Sequence, residues 1–389
     1  MDMIKRTWAE IHLDRLAVNL MNYCACLKGE TQLLCVVKAS CYGHADLAIC
    51  PYLEKELGIK WFAVSNADEA LRLRNMGISG NVLILGYTPP EAVFELAEHN
   101  IIQAVTDYDY AVSLNEAING YGKPLRCHVA IDTGMTRIGL RGTPEEIAQT
   151  LYNIYDLDDL LLDGIFTHYA VADSADEDNK AYTAAQTEKF FAVRDAAARL
   201  GVTPAQCHCL NSAAGVYCPD ERSTLARLGI ILYGLYPDPA TPLPFELSPV
   251  MELRSTISQV KRIEAGESVS YGRTFTADRP MMLATVTCGY ADGWPRALSN
   301  KGEVLLHGKR ARIVGRVCMD QFMIDVTDIP EAAQHDTVTL IGTDGDETVT
   351  ADDVAGLAGT IGYEITCGIS SRVPRVVYKG GERLGVYRV

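Results

Sequence analysis

Short apolar runs alternate with amphipathic segments from about residue 30 to residue 240. This alternation is typical of strand–helix units that build a parallel sheet. Helix candidates include 66–77, with asparagine as an N-cap and glycine as its stop, and the long segment 181–201. Eight apolar runs are strand candidates: TQLLCVVKA (31–39), WFAVSN (61–66), NVLILG (81–86), IIQAVTD (101–107), LRCHVAID (125–132), LLLDGIFTHYA (160–170), CHCLNS (207–212) and TLARLGIILYG (224–234).

Eight such units within about 200 residues predict an α/β fold, a (β/α)8 barrel of the TIM type, with an open doubly wound sheet as the alternative. After the proline-containing segment 236–250, strand-like runs follow one another, which predicts a second, mostly β domain. One late helix is expected near 350–362. We place the barrel at 1–242 and the β-rich domain at 243–389, and we expect roughly the first ten residues to pair with the β domain.

Composition and charge narrow the function classes. The chain has 389 residues, 48% of them hydrophobic, and a formal net charge of -15, which disfavours a broad nucleic-acid-binding surface. No stretch reaches the roughly 18 apolar residues of a membrane span, and the N-terminus lacks a signal-peptide core, so we expect a cytoplasmic protein. The acidic segment 173–178 is expected to be a solvated loop.

The twelve cysteines are scattered, which favours reduced, buried thiols over a disulfide framework. One cluster, Cys207, His208, Cys209 and Cys218, invites a test for zinc. In a strand the first and third of these residues face one side and His208 the other, so a tetrahedral site is not expected and no metal is predicted.

Lys38 stands at the end of an apolar run, although lysine is rarely buried without a partner or a function. In a barrel the C-terminal strand ends form one mouth, where catalytic residues are expected. The polar residues that would meet Lys38 there are the segment 132–137, His168, Asn211, Ser212 and Arg227. Each also has an ordinary structural explanation: Lys38 could extend to solvent, His168 could be a satisfied core histidine, and Arg227 could pair with a structural carboxylate.

Phosphate often binds to the loops after strands seven and eight of such barrels. Here those loops hold Asn211, Ser212 and the step from Gly229 to Ile230, where glycine lets the backbone approach an anion closely. A lysine across the mouth suggests pyridoxal phosphate, whose aldehyde forms a Schiff base with a deprotonated, desolvated amine. The spacing by itself leaves this open beside the structural explanations.

The motifs as a set resemble the alanine racemase family, pyridoxal-phosphate enzymes with a barrel and a C-terminal β domain. The match runs nearly end to end through KRTWAEIHLDRLAVNL (5–20), VVKASCYGHA (36–45), DTGMTRIG (132–139), FTHYA (166–170), NSA (211–213), RLGIILYGLYP (227–237), VSYGRTF (269–275), GYADGWPR (289–296), GRVCMDQ (315–321), TIGYEI (360–365) and SRVPR (371–375). The resemblance implies an isomerase that interconverts L- and D-alanine and supplies D-alanine for peptidoglycan.

The resemblance also assigns site residues. It implies that the cofactor is held by Lys38, Tyr42, His168, Asn211, Ser212, Arg227, Gly229, Ile230 and Tyr363, and that the substrate meets Arg137, Tyr290 and Met319. Arg227 would face the pyridine nitrogen. Because arginine does not give up its proton, that nitrogen would stay unprotonated, the ring would be a poorer electron sink, and transamination would be discouraged.

Racemisation removes a proton from one face of Cα and delivers another to the opposite face, which two flanking bases can do. The resemblance assigns these roles to Lys38 and Tyr271. It also implies a homodimer in which Tyr271 and Met319 come from the second subunit. A phenol of ordinary pKa about 10 is a weak base at neutral pH, so nearby positive charge must favour its phenolate. By analogy, His168 with Arg227 behind it would provide that charge.

One departure and several alternatives remain. Ala130 stands where many family members carry a lysine, often carbamylated, that would brace Arg137, so something else, such as an anion, would have to position Arg137. The nearest alternative is a serine or dual alanine/serine racemase domain of a vancomycin-resistance-type protein, although Tyr363 favours a small pocket. A non-enzymatic pyridoxal-phosphate carrier is disfavoured by the β domain and Tyr271. A related decarboxylase is disfavoured by Arg227, and a metal-dependent barrel hydrolase is remote.

Overall fold

The computed structural model describes residues 4–388. Its first strand, β1 (Thr7–His12), belongs to the sheet formed by the C-terminal part of the chain. The next eight strands form a parallel sheet of their own. These eight strands are β2 (Gln32–Val36), β3 (Trp61–Val64), β4 (Asn81–Ile84), β5 (Ile101–Val105), β6 (Leu125–Ala130), β7 (Leu160–Phe166), β8 (Gln206–His208) and β9 (Leu225–Leu228). Seven of them lie within the predicted runs, and β8 begins one residue before its run, at Gln206.

The parallel sheet closes into a barrel. Its strand order is β8-β7-β6-β5-β4-β3-β2-β9, so the last strand pairs with the first. A parallel bridge between Leu210 and Ala226 joins the end of β8 to β9. The (β/α)8 barrel is therefore confirmed, and the open doubly wound sheet is wrong.

Helices cover the barrel and follow its strands. They span Leu13–Cys24, Asp46–Lys55, Ala67–Asn75, Val93–Glu98, Tyr108–Ile118, Pro144–Tyr155, Glu177–Arg199 and Ala214–Tyr217. The helix predicted at 66–77 begins after Asn66, whose side chain accepts a hydrogen bond from the N–H of Glu69, and Gly77 follows its end with a φ of 82°.

The long helix begins earlier than predicted. The side chain of Asp176 accepts hydrogen bonds from the N–H groups of Asp178 and Asn179, which makes Asp176 its N-cap. The expectation that 173–178 is a solvated loop is therefore wrong for its second half. An acidic run at a helix start is favoured because carboxylates complement the positive end of the helix dipole.

A second, mostly β part follows the segment 236–250, which has no regular secondary structure. Its strands are β10 (Met251–Ile263), β11 (Ser268–Val269), β12 (Phe275–Thr276), β13 (Met281–Val286), β14 (Glu303–Leu306), β15 (Lys309–Val314), β16 (Phe322–Asp325), β17 (Thr337–Asp344), β18 (Glu347–Val349), β19 (Arg375–Lys379) and β20 (Glu382–Tyr387). The β11–β12 pair stands apart, and the others form a ten-stranded sheet in which β1 lies between β10 and β19. The exact domain boundary stays a prediction.

Two short helices lie late in the chain. The predicted one spans Ala351–Ala358 and is capped by Thr350. A second, Gly362–Cys367, was not predicted, and it carries Tyr363. Its six residues are too few for a helical period to be visible in the sequence.

Within residues 4–388, no helix combines the length and the apolar character needed to cross a bilayer. The twelve cysteines are unpaired, and seven of them are buried, whereas the other five are partly or fully exposed. The expectation of a cytoplasmic protein stays a prediction.

Candidate functional site

A cavity of about 570 Å³ opens at the C-terminal ends of the barrel strands. Ten of the thirteen predicted site residues line it: Lys38, Tyr42, Arg137, His168, Asn211, Ser212, Arg227, Gly229, Ile230 and Tyr363. They come from segments spread over more than 300 residues, and barrel closure brings them together. The expected convergence at the mouth is therefore present.

The backbone after β2 forms a left-handed turn that begins at Lys38. The φ values of its next four residues are 50°, 51°, 58° and 55° for Ala39, Ser40, Cys41 and Tyr42. Left-handed backbone costs a non-glycine residue about 1–2 kcal/mol. Such a turn persists only where its surroundings hold it.

Three contacts hold the turn. Nδ1 of His44 lies 2.9 Å from the carbonyl oxygen of Cys41 and 3.1 Å from that of Tyr42, so it carries the proton. Burial lowers the pKa of His44 to about 4, which keeps its ring neutral. A carboxylate oxygen of Glu69 accepts the N–H of Ala39 at 2.7 Å.

The third contact comes from the β-rich part of the chain. Arg375 on β19 is fully buried, and its Nε and Nη2 donate to the carbonyl of Gly43 at 3.0 and 2.8 Å. Its other N–H groups donate to the carbonyls of Ile369, Ser370 and Val373. One guanidinium thus ties the turn that carries Lys38 to the second sheet.

Lys38 itself is half-buried at the cavity wall. Burial lowers the pKa of its amine, and the positive charge of Arg137 lowers it further. A neutral amine is the form that attacks a carbonyl. The site therefore favours the nucleophilic state of Lys38.

A small cradle lies beside Gly229. Its N–H donates to Oγ of Ser212 at 2.8 Å. A Cβ at position 229 would lie 2.8 Å from Oη of Tyr42 and 3.6 Å from Oγ of Ser212, so a side chain would fill the cradle. Burial raises the pKa of Tyr42 and of Tyr363, which keeps both phenols protonated as donors. Hydroxyls with an approachable backbone suit a phosphate group.

Arg227 is a buried cation, and its exposed fraction is 3%. Burial lowers its pKa to about 10, so it remains protonated at neutral pH. Its guanidinium donates to the carbonyl of Thr167 at 2.6 Å and approaches Nδ1 of His168 at 3.3 Å. No carboxylate contacts it among residues 4–388, so a structural ion pair does not explain Arg227.

His168 is neutral in this setting. Burial, and after it the charge of Arg227, lowers its pKa to about 3. Because arginine can only donate, Nδ1 of His168 is the acceptor and its proton sits on Nε2. His168 is thus a neutral donor with a fixed tautomer, so the expectation that it supplies positive charge for the second base is wrong, and the positive charge behind it is that of Arg227.

Sequence reasoning missed three residues behind Arg227. Nη1 of Arg227 donates to Nδ1 of His208 at 2.9 Å, and Nε2 of His208 lies 3.0 Å from Nδ1 of His128. Asp163 follows at 3.8 Å from Nε2 of His128. The only sequence signal was His208 in the candidate zinc cluster, and both of its ring nitrogens are engaged here.

Three predicted site residues lie outside the cavity. Tyr271 and Met319 are 73% and 53% exposed and share a separate surface pocket with Cys318. Tyr290 is 44% exposed. One protomer therefore does not bring these three residues to Lys38.

The position of the missing lysine is apolar. Ala130 packs with Ala104 and Phe166. Arg137 is exposed, and its side chain makes no hydrogen bond to another residue of the described part of the chain. Ala130 thus provides no brace for Arg137.

Comparison with known proteins gives concordant matches. The models of the N-terminal and C-terminal domains of alanine racemase match residues 11–237 and 250–377. Alanine racemase 1 of Clostridium acetobutylicum is 41% identical over 97% of each chain. The structure of alanine racemase from Clostridium difficile 630 has a TM-score of 0.92 at 38% identity, covering 100% of this chain and 99% of that one. The Bacillus anthracis enzyme with bound L-Ala-P has a TM-score of 0.93 at 34% identity, with the same coverage.

The contact between Arg375 and the Lys38 turn predicts a large stability effect. Replacing Arg375 with lysine keeps the charge, but three donors on one point cannot serve the four carbonyls that the guanidinium reaches, so at least one is left without a donor. We expect Arg375→Lys to lower the free energy of unfolding by about 2–4 kcal/mol in urea denaturation. The matched control is Arg372→Lys, because Arg372 is half-exposed and pairs with Asp320 at the surface, where the loss should stay below about 1 kcal/mol. Equal losses in the two variants would contradict the role given to Arg375.

Proposed function

This chain belongs to the alanine racemase family, and from that premise we propose that it interconverts L- and D-alanine with pyridoxal phosphate as cofactor. The observation that carries the proposal is one cavity lined by an amine of lowered pKa, the Gly229 cradle and a protonated Arg227. The aldehyde of the cofactor would require the amine, its phosphate would require the cradle, and its ring nitrogen would require the arginine. The D-alanine produced would be used for peptidoglycan synthesis.

The residues fit the cofactor at each of its ends. Tyr42, Ser212 and the backbone at Gly229 would hold the phosphate, with Asn211, Ile230 and Tyr363 around them. Lys38 would bind the aldehyde carbon covalently, and Arg227 would face the ring nitrogen. When bound, pyridoxal phosphate withdraws electrons from the amino acid and so makes its Cα–H bond acidic.

Proton transfer would then fall to two groups of the protein. Lys38, free once an amino acid has displaced it, would hold or accept the proton on one face of Cα. Tyr271 of a second protomer would serve the other face, beside the fixed Nε2–H of His168. The exposure of Tyr271 and Met319 in one protomer supports this division, because large apolar or aromatic side chains left at a surface are typical of contact sites.

The substrate proposed is alanine. The family models and the relatives at about 40% identity are named for alanine racemase, and the B. anthracis structure contains L-Ala-P. Tyr363 at the cavity wall is consistent with a small side chain. Arg137 and Tyr290 would contact the substrate or its route into the site.

A racemase assay with the purified protein tests the substrate directly. We expect a visible cofactor band in the loaded protein and faster racemisation of L-alanine than of L-serine, followed by circular dichroism or by a D-amino-acid oxidase assay. Faster turnover of L-serine would transfer the proposal to the serine class. A cofactor band without racemisation of either amino acid would refute the proposed activity and favour the cofactor carrier.

Mixed dimers test whether two protomers share a site. Lys38→Ala should lack both the cofactor band and activity, while Tyr271→Phe should keep the band and lose most turnover. Each variant alone is then inactive or nearly so. After dissociation and re-association of an equal mixture, half of the dimers should be hybrids with one intact site, which restores about a quarter of wild-type activity. A mixture no more active than its components would show that Lys38 and Tyr271 do not meet across an interface.

The Gly229 cradle predicts a cofactor-binding defect. In Gly229→Ala the added methyl group would lie 2.8 Å from Oη of Tyr42, where the phosphate is proposed to bind. We expect weaker binding of pyridoxal phosphate in an absorbance titration of the cofactor-free protein. Gly356→Ala is the control, because a Cβ there meets no atom within 4 Å. Unchanged affinity in Gly229→Ala would place the phosphate elsewhere.

A further inference from the structure

A line of polar groups crosses the barrel interior behind Arg227. It runs from Arg227 on β9 to His208 on β8, His128 on β6 and Asp163 on β7. Both histidines are fully buried, whereas the side chain of Asp163 is 18% exposed. Buried polar groups of this kind are retained where their partners are specific. Neither the proton transfers nor the phosphate cradle uses these three residues.

The direction of every hydrogen bond in the line is fixed by its first member. Arginine only donates, so Nδ1 of His208 accepts and its proton sits on Nε2. That proton is donated to Nδ1 of His128 at 3.0 Å, so the proton of His128 also sits on Nε2. Burial lowers the pKa of both histidines, which keeps the rings neutral.

The line ends on a carboxylate. Nε2 of His128 has no hydrogen-bond acceptor within the described part of the chain, and Oδ2 of Asp163 is 3.8 Å away. Arg126 donates to that same oxygen through Nη2 at 2.5 Å, and His128 and Arg126 lower the pKa of Asp163, so it stays ionised. The N–H dipoles of both rings therefore point from Arg227 toward an ionised carboxylate that is itself paired with Arg126.

The backbone is shaped to make this line. The pairing of β6 with β7 slips at Asp163: Cys127 pairs with Leu162, whereas His128 pairs with Gly164. The extra residue is a bulge, a device that redirects a side chain. A Cβ at Gly164 would lie 2.8 Å from three ring atoms of His128, so glycine there gives the imidazole its place. Bulge and glycine together bring Asp163 to His128.

We infer that His208, His128 and Asp163 are positioning residues for Arg227, which set the orientation and donor strength of the guanidinium that faces the cofactor ring. This inference rests on the proposed function. The partners of Nη1 and Nη2 of Arg227 are His208, the carbonyls of Thr167 and Cys209, and His168. With these partners engaged, Nε–H is the donor of Arg227 that has no partner among residues 4–388. Acceptors polarised by Asp163 weaken the acidity of that last N–H, because hydrogen bonds along a chain polarise one another.

The consequence concerns reaction choice. A weak donor leaves the ring nitrogen unprotonated and the ring a poor electron sink, which suppresses transamination. In transamination the amino group of alanine passes to the cofactor, whose aldehyde becomes an amine, and pyruvate is released. Loss of Asp163 or of His128 should therefore change the balance between racemisation and pyruvate formation.

The test uses the loaded enzyme with Asp163→Asn and His128→Gln, which retain volume and hydrogen-bonding groups. We expect both to bind pyridoxal phosphate, to shift the absorbance maximum of the bound cofactor in the absence of substrate, and to release more pyruvate per racemisation event. We expect kcat to fall about tenfold, by analogy with the loss found when the hydrogen-bond partner of a metal-bound histidine is removed. KM should change by less than about twofold, because the substrate's contacts are unaltered.

Two controls separate a positioning role from a structural one. Asp158→Asn changes an exposed aspartate just before the same strand and should behave as wild type. In an Arg227→Lys background, Asp163→Asn should cause no further change, since residues that act through one group are not additive. An absorbance maximum and a pyruvate ratio equal to those of Asp158→Asn, or additive effects with Arg227→Lys, would overturn the inference. Absence of a cofactor band or of racemisation in the wild-type protein would instead overturn the proposed function.

Discussion

A buried guanidinium without a carboxylate beside it is the constraint on which the site depends. Burying an isolated charge is expensive unless hydrogen bonds satisfy it. Arg227 meets this demand with carbonyl oxygens and two imidazoles, and no carboxylate of residues 4–388 competes for it. By donating to Nδ1 of His168 and of His208, Arg227 fixes the tautomers of both rings. A carboxylate in its place would stabilise a protonated ring nitrogen in the proposed cofactor, whereas this arginine would leave that nitrogen unprotonated.

The second constraint is the strained turn that carries Lys38. Four consecutive residues adopt left-handed backbone, and neighbours must keep them there. The β-rich part of the chain contributes through Arg375, whose N–H groups end on the turn and on its own loop. The second sheet therefore does more than present Tyr271 at a surface. It holds the backbone from which the amine projects, which links the stability of that sheet to the geometry of the site.

Much of the fold was predictable because its signals are local. Apolar runs of strand length located all eight barrel strands, and Asn66 with Gly77 marked the ends of one helix. The start of the long helix was missed because an acidic run is typical both of a loop and of a helix N-terminus, and only the contact of Asp176 decides. The helix that carries Tyr363 was too short to show a period. The site residues were predictable in part, since polar residues at strand ends of a barrel must meet. His128 and Asp163 were not, because a bulge in β7 changes which side chains face inward, and no residue pattern announces it.

A crystal structure of the protein loaded with pyridoxal phosphate is the most direct test of the central claim. The account predicts a covalent bond from Nζ of Lys38 to the cofactor and Nε of Arg227 within about 3 Å of the ring nitrogen. It also predicts that Oη of Tyr271 from the other protomer lies on the opposite face from Lys38. A carboxylate or water at the ring nitrogen in place of Arg227, or a Tyr271 remote from the cofactor in every assembly, would contradict it.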